Sequence, residues 1–330
     1  MTVMTLSKAL NAGLRAAMEA DARVLLMGED IATLGGVFRV TDGLAKDFGE
    51  GRVIDTPLSE AGIVGTAIGL ALRGYRPVCE IQFDGFVYPA YDQIVTQLAK
   101  MHYRSAGRVQ LPVVIRIPFG GGIGAVEHHS ESPEAYFAHT PGLKVVSCAD
   151  ASDAYVMIQQ AIASDDPVIF FEPKRRYWDK AEVDQTQDLL DAAVTPLHAA
   201  RIVRVGRDVT VVAYGPMVKT CLAAALSAAD CNQELEVIDL RSLSPLDFEP
   251  VLSSVRKTGR LVVVHEAPRT VGLGAEICAR VSEECFYHLE APPLRVTGFD
   301  TPYPPARLEE HYLPDVERIL TSVDIVMSHR

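Results

Sequence analysis

Short runs of β-branched and apolar residues alternate with longer segments of helical periodicity along almost the whole chain, and few architectures satisfy that alternation. Strand-like runs stand at Val24–Met27, Val78–Phe83, Val113–Ile117, Val145–Ser147 and Val168–Phe171. Helical patterns lie between them at Glu60–Arg73, Tyr91–Arg104 and Ala151–Ala163. Strands alternating with helices close into a largely parallel sheet with helices on its faces. The polar stretch from about Lys180 to Thr195 lacks strand character and reads as a linker. A second series follows, with strands expected at Val209–Ala213, Leu235–Asp239, Leu261–His265 and Leu294–Thr297 and helices at Val218–Ala229, Phe248–Lys257 and Gly274–Phe286. A chain of 330 residues can bury two cores. The expected fold class is therefore α/β with two domains, 1–180 and 199–330, joined by a linker at 181–198. Thr301–Pro305 must be extended, because proline restricts itself and its predecessor.

Charge narrows the partners. Lys and Arg total 31 against 43 Asp and Glu, a formal net charge of −12. Such a surface repels nucleic acid and anionic membrane, so neither is expected as a partner. The longest apolar stretch, Ala61–Leu72, is interrupted by glycine and too short to span a bilayer. Met1–Ala20 is amphipathic without an apolar core segment, so no signal peptide is expected. None of the six cysteines forms a C-x-x-C pair, and most sit in apolar runs, which reads as reduced core thiols of a cytoplasmic protein.

Three segments carry candidate chemistry. In Asp55-Thr56-Pro57-Leu58-Ser59-Glu60 a strand ends, Ser59 can cap the next helix, and Glu60 lies in its first turn. An acid there complements the helix dipole without any further role. The helix that follows, however, is apolar all round and reads as buried, and the carboxyl end of a strand is where α/β sheets place ligand contacts. An acid held out of water at that point suits proton shuttling. In Glu80-Ile81-Gln82-Phe83-Asp84-Gly85-Phe86, Gln82 and Phe86 offer an amide and an aromatic wall to a planar ligand, while Phe86 as plain core is the competing reading. In Phe119–Ser132 the glycines lack phosphate-loop spacing. They read as a flexible loop delivering His128 and His129 to a cleft, and adjacent histidines without H-E-x-x-H spacing do not read as a metal site. Gly272-Leu273-Gly274 reads as a tight turn permitting close packing.

Taken together these segments resemble the beta subunits of thiamine-diphosphate-dependent 2-oxo acid dehydrogenases. The resemblance runs through Gly28-Glu29-Asp30, TPLSE (56–60), EIQFDGFVYPAYDQIV (80–95), HSESPEAYFAHTPGLKVV (129–146), FFEPK (170–174), EVIDLRSLSPLD (236–247) and HEAPRTVGLGAEI (265–277), nearly the whole chain. It implies a pyrimidine-binding domain followed by a transketolase C-terminal-like domain. Glu60 matches the family's glutamate at N1′ of the cofactor's aminopyrimidine; Leu58, Gln82 and Phe86 match positions lining that ring. His129 matches the active-site histidine, which suits protonating the sulfur released when an acyl group passes to a lipoyl group. Glu131 would tune it toward neutrality. Main-chain oxygens of Val113, Ala161, Ile162, Ser164 and Asp166 match a structural potassium site.

The family holds diphosphate and Mg2+ through Gly-Asp-Gly followed by Asn, and no Gly-Asp-Gly occurs here. The resemblance therefore implies an alpha subunit that supplies those ligands, an alpha2-beta2 heterotetramer inactive without it, and a dihydrolipoyl acyltransferase core whose lipoyl domain takes the acyl group. The stretch from Phe170 to Trp178 resembles branched-chain members, favouring 3-methyl-2-oxobutanoate. Pyruvate, acetoin cleavage and a non-catalytic scaffold are the alternatives in that order.

Overall fold

The computed structural model describes residues 1–186 and 194–329. In chain order its strands are β1 (Thr2–Thr5), β2 (Val24–Gly28), β3 (Val53–Asp55), β4 (Arg76–Glu80), β5 (Val114–Phe119), β6 (Lys144–Ser147), β7 (Val168–Pro173), β8 (Lys180–Val183), β9 (Arg201–Arg204), β10 (Val209–Ala213), β11 (Leu235–Asp239), β12 (Ser242–Ser244), β13 (Leu261–Pro268) and β14 (Leu294–Gly298). A seven-stranded sheet has the order β12-β6-β7-β5-β4-β2-β3 and a five-stranded sheet the order β14-β13-β10-β11-β9. Both are parallel except at the edge strands β12 and β9. Every residue of β2, β5, β7, β10 and β11 is buried. Strands covered on both faces are apolar without alternation, which is why these runs were legible in the sequence.

Four expectations need correction. The strand expected to reach Phe83 leaves the ladder at Glu80, and Asp84–Ala90 winds as 3-10 turns. The expected helix Tyr91–Arg104 is instead a π-type segment, Gln93–Leu98, and one α-turn, Met101–Arg104. The supposed linker opens with β8, which pairs antiparallel with β1; its residues 187–193 lie outside the described residues. The helix Glu60–Leu72 is not buried all round, since Gly62, Thr66, Gly69 and Leu72 are exposed. Each error has one cause: an apolar or polar run does not say which distant segment covers it.

The two halves are also less separate than the pattern implied. β12, from the second half, pairs with β6 and closes the first sheet. One apolar layer continues from Ile63, Ile115 and Phe119 to Val212, Ile238 and Leu243 of the second half. On the opposite face of the first sheet the helices Leu6–Ala20 and Ala151–Ala163 pack together. Gly272 and Gly274 open the helix Leu273–Glu284 against the His265 ring, where an added Cβ would stand 2.7 and 2.8 Å from ring atoms. That is the close packing expected of the turn.

Sheet order places the functional crevice. The chain passes from β2 outward to β3, then returns across β2 to β4 and β5. Reversal of winding direction leaves a gap at the carboxyl ends of β2 and β4, the place where open α/β sheets bind ligands.

Candidate active site

All five parallel strands around that gap end on the same side, so the loops after them converge. Glu29 and Asp30 follow β2, Glu60 follows β3, Gln82–Phe86 follow β4, Gly120–His129 follow β5 and Lys174 follows β7. Ser59 caps the Glu60 helix by accepting the Gly62 amide at 3.3 Å. That cap leaves Glu60 free of any capping duty. The residue is 8% exposed, and its carboxyl accepts no hydrogen bond from a described residue. Glu29, equally buried, has Oε1 without a partner among the described residues. Burial pushes the Glu29 carboxyl above its usual range, reinforced by the charges of Glu60 and Asp30. Two neighbouring buried acids, one with an acceptor that no described residue uses, fit a ligand that donates a proton or a hydrogen bond. The ring nitrogen of an aminopyrimidine fits that donor set.

Gln82 lies beside Glu29, Phe86 lies against the histidine loop, and Leu58 is turned to solvent. Gln82 Nε2 reaches to 3.5 Å from the Glu29 carbonyl and 3.4 Å from Asp30 Oδ2, contacts too long to hold the amide firmly. The half-buried Phe86 ring meets His129 edge-on at 5.1 Å and Phe83 at 6.0 Å. Leu58 is 81% exposed at the tip of its turn. Within this chain it lines nothing.

His129 sits in an aromatic corner. Its ring lies 4.1 Å from that of Phe83, and its Nδ1 has no partner among the described residues. Lys174 fixes the backbone here by donating to the His129 carbonyl and to Asp84 Oδ1, while Asp84 Oδ2 accepts the Glu131 amide at 2.8 Å. Burial raises the Asp84 carboxyl and lowers the Lys174 ammonium, and each partly restores the other. Burial first, then the charges of His128 and Lys174, hold His129 below its ordinary pKa. Glu131 does not tune it, because its carboxylate accepts the Tyr88 hydroxyl at 3.0 Å. His128 is exposed, with Nδ1 3.6 Å from Glu127.

The five main-chain oxygens expected to hold potassium cluster around the end of the helix Ala151–Ala163. Arg76 donates to the carbonyls of Ile162 and Ser164 at 2.8 and 2.7 Å. Val113 accepts the Val168 amide at 2.9 Å, Ala161 the Ser164 amide at 3.2 Å, and Asp166 the Ser164 hydroxyl at 3.2 Å. A guanidinium thus already supplies positive charge to two of the five.

Sequence reasoning missed Phe83, Glu29 and the Asp84–Lys174 pair. Phe83 was taken for a strand residue, and only the early end of β4 turns it toward His129. Lys174 did carry a signal: a lysine directly after the largely apolar segment Val168–Pro173, whose one charge is Glu172, is a candidate buried cation needing an acid partner.

Comparison with known proteins covers both halves. The family model described as transketolase, pyrimidine binding domain, matches residues 2–179, and the transketolase C-terminal domain matches 198–319. A Leifsonia xyli protein named pyruvate dehydrogenase E1 component subunit beta is 65% identical over 317 residues, 96% of this chain and 93% of that protein. A Mycobacterium tuberculosis protein named 3-methyl-2-oxobutanoate dehydrogenase subunit beta is 54% identical over 325 residues, 98% and 92% of the two chains. A solved structure described as a split gene transketolase, inactive beta4 tetramer, superposes with a TM-score of 0.79 at 21% identity, covering 99% of each chain, and shares the fold.

Proposed function

Because this chain belongs to the E1 beta subunits of 2-oxo acid dehydrogenases, we propose that it supplies the pyrimidine-binding half of a thiamine diphosphate site whose other half belongs to an alpha subunit. The observation that carries the reading is the buried Glu60 beside Glu29, whose Oε1 has no partner among the described residues, at the sheet's switch point. Bound thiamine diphosphate would supply the carbon nucleophile for decarboxylating a 2-oxo acid. Glu60 would exchange a proton with the pyrimidine N1′, and Phe86 and Gln82 would flank the ring. Leu58 would join them only when a second polypeptide covers its turn. His129, set against Phe83, would hold or move a proton at the sulfur of an incoming lipoyl group.

Partner and substrate belong to the same reading. The absent Gly-Asp-Gly supports an alpha subunit bearing the Mg2+ and diphosphate ligands in an alpha2-beta2 assembly. The bare Leu58 and the exposed small-residue side of the Glu60 helix support a covering chain. An acyltransferase core with lipoyl domains would take the acyl group, in the cytoplasm. No helix among the described residues is long and apolar enough to cross a membrane. We favour branched-chain 2-oxo acids on the Phe170–Trp178 segment, and the 65% identical relative favours pyruvate as the second reading. Potassium at the oxygens of Val113, Ala161, Ile162, Ser164 and Asp166 is proposed as well. Melting temperatures identical in potassium and choline salts would leave Arg76 as the sole cation there.

Co-expression with an alpha subunit, followed by decarboxylation assays on pyruvate and 3-methyl-2-oxobutanoate, tests the assignment. A higher kcat/KM on the branched acid is expected, and the reverse order selects pyruvate. The lone chain should bind thiamine diphosphate weakly in calorimetry; tight magnesium-dependent binding to it would refute the shared site.

A further inference from the structure

The glycine loop after β5 is held by two carboxylates that reach it from the other half of the molecule. Gly120, Gly122 and Gly124 have φ of +81°, +87° and +71°, separated by residues of ordinary φ, an alternation that turns successive amides into one anion-binding concavity. No phosphate is needed to fill it. The Gly122 and Gly124 amides donate to the two oxygens of Glu309 at 2.8 and 3.0 Å, and the Gly121 amide donates to Glu266 at 2.9 Å. The Tyr303 hydroxyl donates to the same Glu309 carboxylate at 2.7 Å. Glu266 ends β13 and Glu309 opens the short helix Glu309–Tyr312, and both are about 5% exposed or less. The loop has no room to drift: an added Cβ on Gly121 would overlap the Tyr303 hydroxyl, and one on Gly120 would stand 2.6 Å from Glu266. Five residues on, the same segment carries His129. There it is held from the first half, by Lys174 on the His129 carbonyl and by Asp84 on the Glu131 amide.

We propose that Glu309, with Tyr303 and Glu266, is a positioning device: the C-terminal half clamps the glycine loop and thereby sets the place of His129 against Phe83. This inference rests on the assignment of His129 to acyl transfer. Glu309 touches no reacting atom; it acts through the Gly122 and Gly124 amides and the chain between them and the histidine. Releasing the clamp lets the loop and its histidine move by a fraction of their length, and misplacements of that order cost far more in rate than in folding.

The test uses the chain co-expressed with its alpha subunit and compares Glu309→Ala, Glu309→Gln and wild type in two assays: decarboxylation read with an artificial electron acceptor, and acyl transfer to free lipoyl domain. Glu309→Ala is expected to slow transfer by about tenfold to a hundredfold and decarboxylation by much less. It should also move the pH profile of transfer toward ordinary histidine behaviour as His129 leaves its aromatic corner, and speed hydrogen exchange at the Gly122 and Gly124 amides. Glu309→Gln keeps one acceptor oxygen and the side-chain volume, so it should fold normally and fall between the two. Equal losses in both assays, or unchanged amide exchange in Glu309→Ala and Glu309→Gln, would overturn the clamp. A His129→Ala control separates the two ideas: if it shows no split between the assays, the His129 assignment fails, whereas a split there without one at Glu309 refutes the clamp alone.

Discussion

Glu60 and His129 separate two kinds of proton work, and their surroundings say what each substitution will do. Glu60 has no hydrogen-bond partner among the described residues and stands near Glu29, so Glu60→Gln removes a like-charge neighbour and breaks no bond. Thermal melts should show no loss of stability, while decarboxylation by the reconstituted enzyme falls by roughly 10²–10⁴-fold, the usual contribution of a general acid or base. Near wild-type turnover would return Glu60 to a helix-dipole role. His129→Ala should impair transfer to lipoyl domain much more than decarboxylation. His128→Ala, whose ring is exposed beside Glu127, should be the milder change in both assays. Because burial holds His129 below 6.5, its titration should appear in the transfer-rate profile on the acid side of an ordinary histidine. Equal losses in the two assays, or a greater defect from His128→Ala, would end the assignment. Both residues were legible because their types at those positions point to proton chemistry; the proximity of Phe83 and Lys174 to His129 was not, since only the folded chain brings them there.

Among elements, the turn after β4 and the loop after β5 are built against each other. Gly85 makes the approach possible: a Cβ there would stand 2.4 Å from the His128 carbonyl oxygen and 2.9 Å from its Cβ. Backbone atoms cannot yield as a side-chain tip does, so Gly85→Ala must push the histidine loop outward. The expected cost is about 1–3 kcal/mol of stability, typical of overpacking, accompanied by a selective loss of acyl transfer. Calorimetric melts and the paired assays check this, and a variant that melts and transfers like wild type would show the loop to be loosely seated. The same turn shows why sequence periodicity failed between Ile81 and Arg104. Apolar residues at both strand and helix spacing fill a surface between the Glu60 helix and the sheet, and the 3-10 and π-type turns follow the shape of that surface rather than their own propensity.

For the whole molecule, the joint between the halves is pH-sensitive. Asp153, from the first half, pairs with Arg201 at 2.7 Å and Arg241 at 3.3 Å. Asp239, fully buried at the end of β11, accepts the Arg241 amide at 3.0 Å through one oxygen and leaves the other without a partner among the described residues. Burial, then the charge of Asp153, pushes the Asp239 carboxyl up to about 8. Its folded pKa exceeds the unfolded one, so the folded state holds the proton more tightly. The stability this confers is complete below the unfolded value near 3.8 and is lost as pH rises through about 8. Glu134, raised by burial to about 7, acts in the same direction. This contribution to the melting temperature should therefore fall between about pH 4 and 8, and Asp239→Asn should flatten that fall and melt above wild type at the alkaline end. Parallel pH profiles for the two proteins would contradict the assignment.

The sequence by itself determined the α/β class, the strands of both sheet interiors, and the residues Glu60, Gln82, Phe86 and His129 as candidates. Those features are local: a strand buried on both faces is apolar along its length, and a motif residue keeps its identity whatever covers it. The tertiary structure decided the rest. It took β12 from the second half into the first sheet, paired β8 with β1, left Leu58 in solvent, and turned Glu131 to Tyr88. It also gave His129 a lowered pKa and brought Glu309 to the glycine loop across 185 residues of chain. Burial, charge proximity and edge pairing depend on distances between segments remote in sequence, and no local pattern encodes those distances.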